Sequence, residues 1–156
     1  MRNHVFVFFI LMVSGLSAST DTNGIEKMLN QFHQAASKAD GATYFGLFAP
    51  EGIFLGTDAT ERWTVAQFKK YAEPHFGKGK GWTYTPKSRN IHVFDSGNTA
   101  WFDELLENKK YGLCRGSGVV RKIEGQWKVS QYHLTLPVPN ELIDELSKMI
   151  QDRRSK

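Results

Sequence analysis

The sequence predicts an α+β fold in which N-terminal helices pack on one face of a strongly curved antiparallel β-sheet. Before residue 77, apolar side chains recur at the three- and four-residue spacing of amphipathic helices. Between residues 82 and 136 the pattern changes to alternation with period two, interrupted by short turns. Because the helices precede the strands instead of alternating with them, we expect the helices together on one side of the sheet.

Three helices are predicted before the sheet. Residues 25–39 place apolar side chains on one face, and residues 42–48 form a second, short helix that ends before Pro50. Residues 65–76 form the third helix, and Thr64 is in position to cap its N-terminus.

A short strand at residues 52–58, four longer strands and a final helix at residues 140–152 complete the predicted fold. Gly112, Gly116 and Gly118 fall in one of the longer strands, which indicates strong curvature or a bulge there. The four longer strands are predicted at residues 82–94, 99–107, 111–123 and 126–136.

Residues 1–19 have the three-part layout of a secretory signal peptide. A short basic start precedes an apolar run at residues 5–13, and small residues follow at 14–19. This run is too short to span a membrane, so residues 20–156 are predicted to form one periplasmic or secreted domain. An uncleaved N-terminal anchor is the alternative. The single cysteine, Cys114, has no intrachain partner, so the core must stabilise the domain without a disulfide.

The composition argues against nucleic-acid, metal and cofactor binding. Lys and Arg number 20 against 16 Asp and Glu, but the basic clusters are scattered and no nucleic-acid motif accompanies them. The histidines are spread over different predicted elements, and no cysteine pair exists to complete a metal site. The glycine-rich loop at residues 77–81 lacks the preceding strand and following helix of a phosphate-binding loop.

Several short motifs occur in a fixed order along the chain. They are Gly-Thr-Asp at 56–58, Trp63 before a helix, Ala-Trp-Phe-Asp-Glu at 100–104, Arg-Gly-Ser-Gly-Val at 115–119, and the stretch from Gly125 to Pro139-Asn140. Over residues 25–140 the chain resembles the SnoaL-like branch of the nuclear transport factor 2-like superfamily. The resemblance implies a cone-shaped fold with a pocket between helices and concave sheet face, and homodimers formed through the outer sheet face.

Strand alternation places the candidate site residues. Gln131 and His133 share the face of Trp127, and Asp103 shares a face with Trp101 on an earlier strand. If these faces converge with Arg115, the pocket holds an acid, a base and a fixed cation, although a single bulge would invert any strand. His133 and Asp103 are then the catalytic candidates, and the ligand-binding candidates are Asp58, Trp63, Tyr71, Trp101, Arg115 and Gln131.

These residues leave three functions open. The first is binding of a small, partly apolar molecule whose anionic group Arg115 would hold. The second is an isomerase, cyclase or hydrolase that uses His133 or Asp103 as a general acid–base, or Asp58 as a base whose pKa an apolar pocket raises. The third is an assembly module without ligand, in which Asp103, Arg115 and His133 only satisfy one another.

Overall fold

The structure is a computed structural model that describes residues 16–154, and their side chains from residue 21 onward. The apolar run of the predicted signal peptide lies outside the described residues. The helices are α1 (Leu16–Ser37), α2 (Gly41–Gly46), α3 (Val65–Phe76) and α4 (Ile143–Arg154), with a 3-10 turn at Asn140–Leu142. The strands are β1 (Phe48–Leu55), β2 (Arg62–Thr64), β3 (Thr85–Val93), β4 (Thr99–Asn108), β5 (Gly112–Ile123) and β6 (Gln126–Thr135).

The six strands form one sheet in the order β2-β1-β6-β5-β4-β3. The predicted antiparallel meander is confirmed for β3 to β6. The sheet as a whole is mixed, because β1 pairs with β6 in parallel. The predicted α+β fold with helices before a curved sheet is confirmed.

Helices α1, α2 and α3 cover the concave face of the sheet, and α4 buries no residue. Ile25, Leu29, Phe32 and Ala36 are buried at the spacing of one helix face. Thr64 caps α3 in a capping box with Gln67, as the sequence predicts. No helix within residues 16–154 is long and apolar enough to cross a membrane.

A bulge in β6 reverses the faces that strand alternation predicts. Val120 pairs with Val129, but the adjacent Val119 pairs with Gln131, so Ser130 is an extra residue in β6. Trp127 and Val129 are buried before the bulge, and Tyr132 is buried after it. The predicted inward orientation of Gln131 and His133 is therefore wrong, and both side chains lie on the outer face.

The inward orientation predicted for β4 and β5 is also wrong. Phe102 and Glu104 point into the core, whereas Trp101 is 42% exposed and Asp103 lies on its side of the strand. On β5 the buried positions are those of Cys114, Gly116, Gly118 and Val120, and Arg115 is exposed. Apolar alternation in β4 has two possible phases, and the phase that buries Phe102 leaves Trp101 outside.

Candidate functional site

A pocket opens between the helices and the concave face of the sheet. Its main chamber has a volume of about 240 Å³, and a narrow inner space of about 20 Å³ shares four lining residues with it. The inner space holds about one water-sized group. The chamber is lined by Phe54, Gly56, Thr57, Glu61, Trp63, Phe68, Tyr71, Trp82, Tyr84, Tyr111 and Leu134.

Stacked aromatic rings form one wall of the chamber. The capped N-terminus of α3 sets Phe68 and Tyr71 one turn apart, and Trp63 precedes the cap. The ring centroids of Trp63 and Tyr71 are 4.8 Å apart at an interplanar angle of 25°, and those of Phe54 and Phe68 are 3.9 Å apart. The structure therefore places Trp63 and Tyr71 at the pocket, in the position that the sequence predicts for ligand contact.

Asp58 does not line the chamber. Its carboxylate accepts hydrogen bonds from the backbone N–H and the hydroxyl of Thr60 in an exposed turn. These hydrogen bonds lower the pKa of Asp58. A base shielded by apolar groups would have a raised pKa, so Asp58 does not have the surroundings expected of one.

A buried polar cluster lies at the inner end of the pocket. His33 and Tyr132 line the inner space, and Glu104 lies behind them with no exposed surface. His33 Nε2 is 2.6 Å from Glu104 Oε1, and the Tyr132 hydroxyl donates to the same oxygen at 2.9 Å. Arg89 Nε donates to Glu104 Oε2 at 2.8 Å. These four residues are called the Glu104 cluster below.

The Glu104 carboxyl is held in its ionised form. Burial raises its pKa, but the hydrogen bond and charge of His33 and the charge of Arg89 outweigh burial, so the pKa lies below its ordinary value of 4.5. The Arg89 side chain is only 3% exposed, and its Nη1 also contacts Glu26 Oε1 at 2.7 Å and Asn30 Oδ1 at 2.9 Å. Arg89 thereby joins α1 to the sheet.

Tyr132 acts as a hydrogen donor in this cluster. Burial raises the pKa of its phenol well above its ordinary value, and the charge of Glu104 raises it further. The phenol is therefore neutral and fixed on Glu104. Gly116 makes room for it, because a Cβ at that position would overlap the Tyr132 hydroxyl.

The geometry assigns the hydrogen of His33. An ionised carboxylate only accepts, so Nε2 carries the hydrogen that Glu104 binds. In the neutral imidazole Nδ1 is then the acceptor, and no hydrogen bond to Nδ1 is formed within residues 16–154. A carboxylate that orients an imidazole beside a cavity is an arrangement suited to general acid–base chemistry.

The sequence analysis missed all four members of the cluster. They come from α1, β3, β4 and β6, so no local motif joins them. Two signals were present. His33 falls within the apolar face of α1, between Leu29 and Ala36. Glu104 alternates with the buried Phe102 and Leu106 on the same face of β4. A titratable group on a buried face indicates a polar cluster.

The residues predicted from strand alternation do come together, but on the outer face of the sheet. Asp103 pairs with Ser117, and Ser117 pairs with His133 across neighbouring strands. Trp101 stacks on His92 with ring centroids 5.4 Å apart. Arg115 and Gln131 are exposed on the same face. None of these side chains lines the chamber or the inner space.

The comparisons with known proteins agree with this fold. The family model of the SnoaL-like domain matches residues 25–139. This chain belongs to the SnoaL-like domain family. No curated protein sequence matches it significantly. The SnoaL-like domain accounts for all of the sheet and for the helices that enclose the pocket, and α4 follows it.

Solved structures similar to this SnoaL-like domain share its fold at low sequence identity. A nuclear transport factor 2-like protein of unknown function from Pseudomonas putida KT2440 has a TM-score of 0.66 and 17% identity, over 81% of this chain and 93% of that chain. A protein provisionally assigned as a scytalone dehydratase, from Novosphingobium aromaticivorans, has a TM-score of 0.65 and 17% identity, over 78% and 87%. A provisionally assigned dehydratase from Streptomyces avermitilis has a TM-score of 0.66 and 13% identity, over 78% and 99%.

Proposed function

We propose that the protein is a small-molecule enzyme that moves a proton on a flat, largely apolar substrate, with His33 as the general acid–base. The family and the pocket support a small-molecule binding or catalytic domain. The observation that carries the catalytic role is the 2.6 Å contact between His33 and the buried Glu104 at the inner end of an aromatic chamber. This pair replaces the predicted His133 and Asp103.

Each member of the cluster has a defined part in this chemistry. His33 takes or gives a proton at Nδ1, while Glu104 holds Nε2–H and stabilises the imidazolium that forms. Arg89 and Tyr132 keep Glu104 ionised and in place, so they are positioning residues. Isomerisation and elimination of water are the reactions that need only such a proton transfer. The dehydratase assignments of two similar structures point to the same reaction class.

Binding without turnover is the second candidate. Glu104 already accepts from His33, Tyr132 and Arg89, so its carboxylate is satisfied without a ligand. The inner space beside His33 is small, about 20 Å³. The Glu104 cluster at the inner end of the aromatic chamber supplies fixed polar groups, which are sufficient to orient a bound molecule.

A ligand screen with matched histidine variants separates these functions. Phenols, cyclic ketones and steroid-like compounds are screened by thermal shift, and each hit is incubated and examined by mass spectrometry. A ligand at a hundredfold excess over its Kd stabilises the fold by about 2.7 kcal/mol. We expect His33→Gln to lower turnover by about a hundredfold or more. The control is His92→Gln, which changes an exposed histidine of the outer face.

The outcomes are distinct. Loss of turnover in His33→Gln alone, with ligand binding kept, supports the catalytic role. Turnover that survives His33→Gln removes His33 from the chemistry. Hits that bind in all variants and are never converted support binding without turnover.

We also propose that the protein is exported and forms a homodimer through the outer sheet face. The N-terminal sequence pattern supports export, and the exposed Trp101 and Leu113 support an interface. Export predicts a mature chain that begins after Ala18 or Ser19. Mass spectrometry of periplasmic and culture fractions tests this, and full-length protein retained in the cytoplasm would contradict it.

A further inference from the structure

We propose that the chamber selects a ligand with a positively charged ammonium group on an apolar body. This inference rests on the proposed function and adds the charge of the molecule that the pocket receives. The sequence predicts a ligand with an anionic group held by Arg115. Because Arg115 lies on the outer face, the proposed ammonium group replaces that anionic group. Glu61 and the aromatic rings around it form the charged side of the chamber.

Glu61 is the only charged residue among the eleven that line the chamber, and seven of the others are aromatic. Glu61 is partly buried and takes part in no ion pair among the side chains that the structure describes, residues 21–154. A partly buried carboxylate without a cation favours a ligand that supplies one. An anionic ligand would be repelled by the same charge.

The backbone around Glu61 fixes its carboxylate at the edge of the chamber. Glu61 Oε2 accepts a hydrogen bond from the backbone N–H of Asp58 at 3.2 Å. The carboxylate also lies directly over Gly56, where a Cβ would overlap it. The turn of residues 56–61 therefore presents the charge in one position, beside Trp63.

The aromatic rings add a second attraction for a cation. The negative face of a Trp or Tyr ring binds ammonium groups, and surrounding rings exclude the water that would otherwise weaken the attraction. Lys110 Nζ already occupies the ring of Tyr111, at 4.7 Å from its centroid and 3.0 Å from its hydroxyl, so the rings left for a ligand cation are those of Trp63, Tyr71 and Trp82. Burial raises the pKa of Tyr84 to about 12, so its phenol adds no negative charge and Glu61 remains the anion of the lining.

Three phenyl probes of different charge test the preference, and the cationic and neutral probes have the same shape. They are phenyltrimethylammonium, the neutral tert-butylbenzene and the anionic benzoate. Binding is measured through the fluorescence of Trp63 and Trp82 and confirmed by ligand-observed NMR. We expect the cation to bind about tenfold more tightly than the neutral probe, and benzoate more weakly than both.

Two variants that each remove one carboxylate test whether Glu61 causes the preference for a cation. Glu61→Gln keeps an oxygen for the Asp58 N–H and removes the charge, so we expect cation affinity to fall about fivefold while tert-butylbenzene affinity is unchanged. Glu73→Gln is the control, because it removes a carboxylate from an exposed position on α3. Both variants keep the catalytic cluster intact.

The results separate this inference from the proposed function. Equal affinity for the cation and the neutral probe, or loss of both in Glu61→Gln, would overturn the charge preference. Neither result would affect the apolar pocket or the proposed His33-dependent turnover. Failure of all three probes to bind would overturn the charge preference as well. Selective loss of the cation in Glu61→Gln but not in Glu73→Gln would support it.

Discussion

Asp103 and Glu104 are neighbours in the sequence with opposite surroundings. Glu104 has no exposed surface and contacts His33, Tyr132 and Arg89. Asp103 lies on the outer face, where Asn90 donates to it at 3.3 Å. Either residue fits the sequence pattern as the inward acid, because the phase of an alternating strand depends on partners from other parts of the chain.

Neutralising these two carboxylates should have very different effects on stability. Glu104→Gln removes the buried one of the two carboxylates that pair with Arg89 and leaves only the partly exposed Glu26, so we expect the free energy of unfolding to fall by about 3 kcal/mol. Asp103→Asn, the matched control, should change it by less than about 0.5 kcal/mol. Urea denaturation measures both, and similar losses in the two variants would contradict the assigned faces.

Acid should destabilise the protein through Glu104. The pKa of Glu104 is lower in the folded state than its ordinary value of 4.5. The ionised carboxylate therefore contributes its full stabilisation of the fold above pH 4.5, and this contribution is lost as the pH falls through the folded pKa. The denaturation midpoint should therefore drop as the pH is lowered from about 6 to about 3. Glu104→Gln should show a shallower decline over this range. An identical decline in the variant would show that other carboxyls cause it.

At the level of elements, small backbone details in β5 and β6 decide which side chains reach the pocket. The extra residue Ser130 turns Tyr132 inward, and Gly116 on the neighbouring strand leaves space for its hydroxyl. The three glycines of β5 indicated curvature from sequence, and two of them, Gly116 and Gly118, lie on the concave face. Element positions follow from hydrophobic period and turn residues, but a bulge carries no comparable local signal.

Gly116→Ala tests the fit between the two strands. The added methyl group would displace the Tyr132 hydroxyl from Glu104, leaving a buried acceptor short of one donor, so we expect a loss of about 1–3 kcal/mol. Gly46→Ala is the control, because a Cβ there meets nothing within 4 Å at the end of α2. That variant should be neutral or slightly stabilising. Equal losses would indicate a general effect of glycine replacement.

At the level of the whole molecule, the sequence predicted more of the fold than of the site. The helices, the meander and the family follow from local patterns, and Trp63 and Tyr71 were placed correctly at the pocket because the capped helix α3 orients them. The Glu104 cluster was missed because its members meet only after four elements assemble. A site built from long-range contacts requires the register of the sheet, which one sequence does not specify.

The proposed dimer is tested by substituting an exposed ring of the outer face. Trp101→Asp would place a charge in the centre of the interface, so we expect the wild-type dimer to become a monomer in sedimentation velocity. Leu142→Asp is the control, because it changes an exposed apolar residue of the 3-10 turn before α4. A wild-type protein that sediments as a monomer would contradict the proposed interface.

The residues of the Glu104 cluster lie far apart in the sequence, and this separation affects the order in which the protein folds. His33 and Glu104 are 71 residues apart, and Arg89 and Glu26 are 63 apart, whereas short turns join the strands of the meander. Closing long loops costs more entropy, so the meander should form before α1 docks on it. Variants of His33 should then mainly accelerate unfolding, and core variants such as Val120→Ala should mainly slow refolding. The Glu104 cluster, which orients the His33 imidazole, would therefore also determine the unfolding rate of the protein.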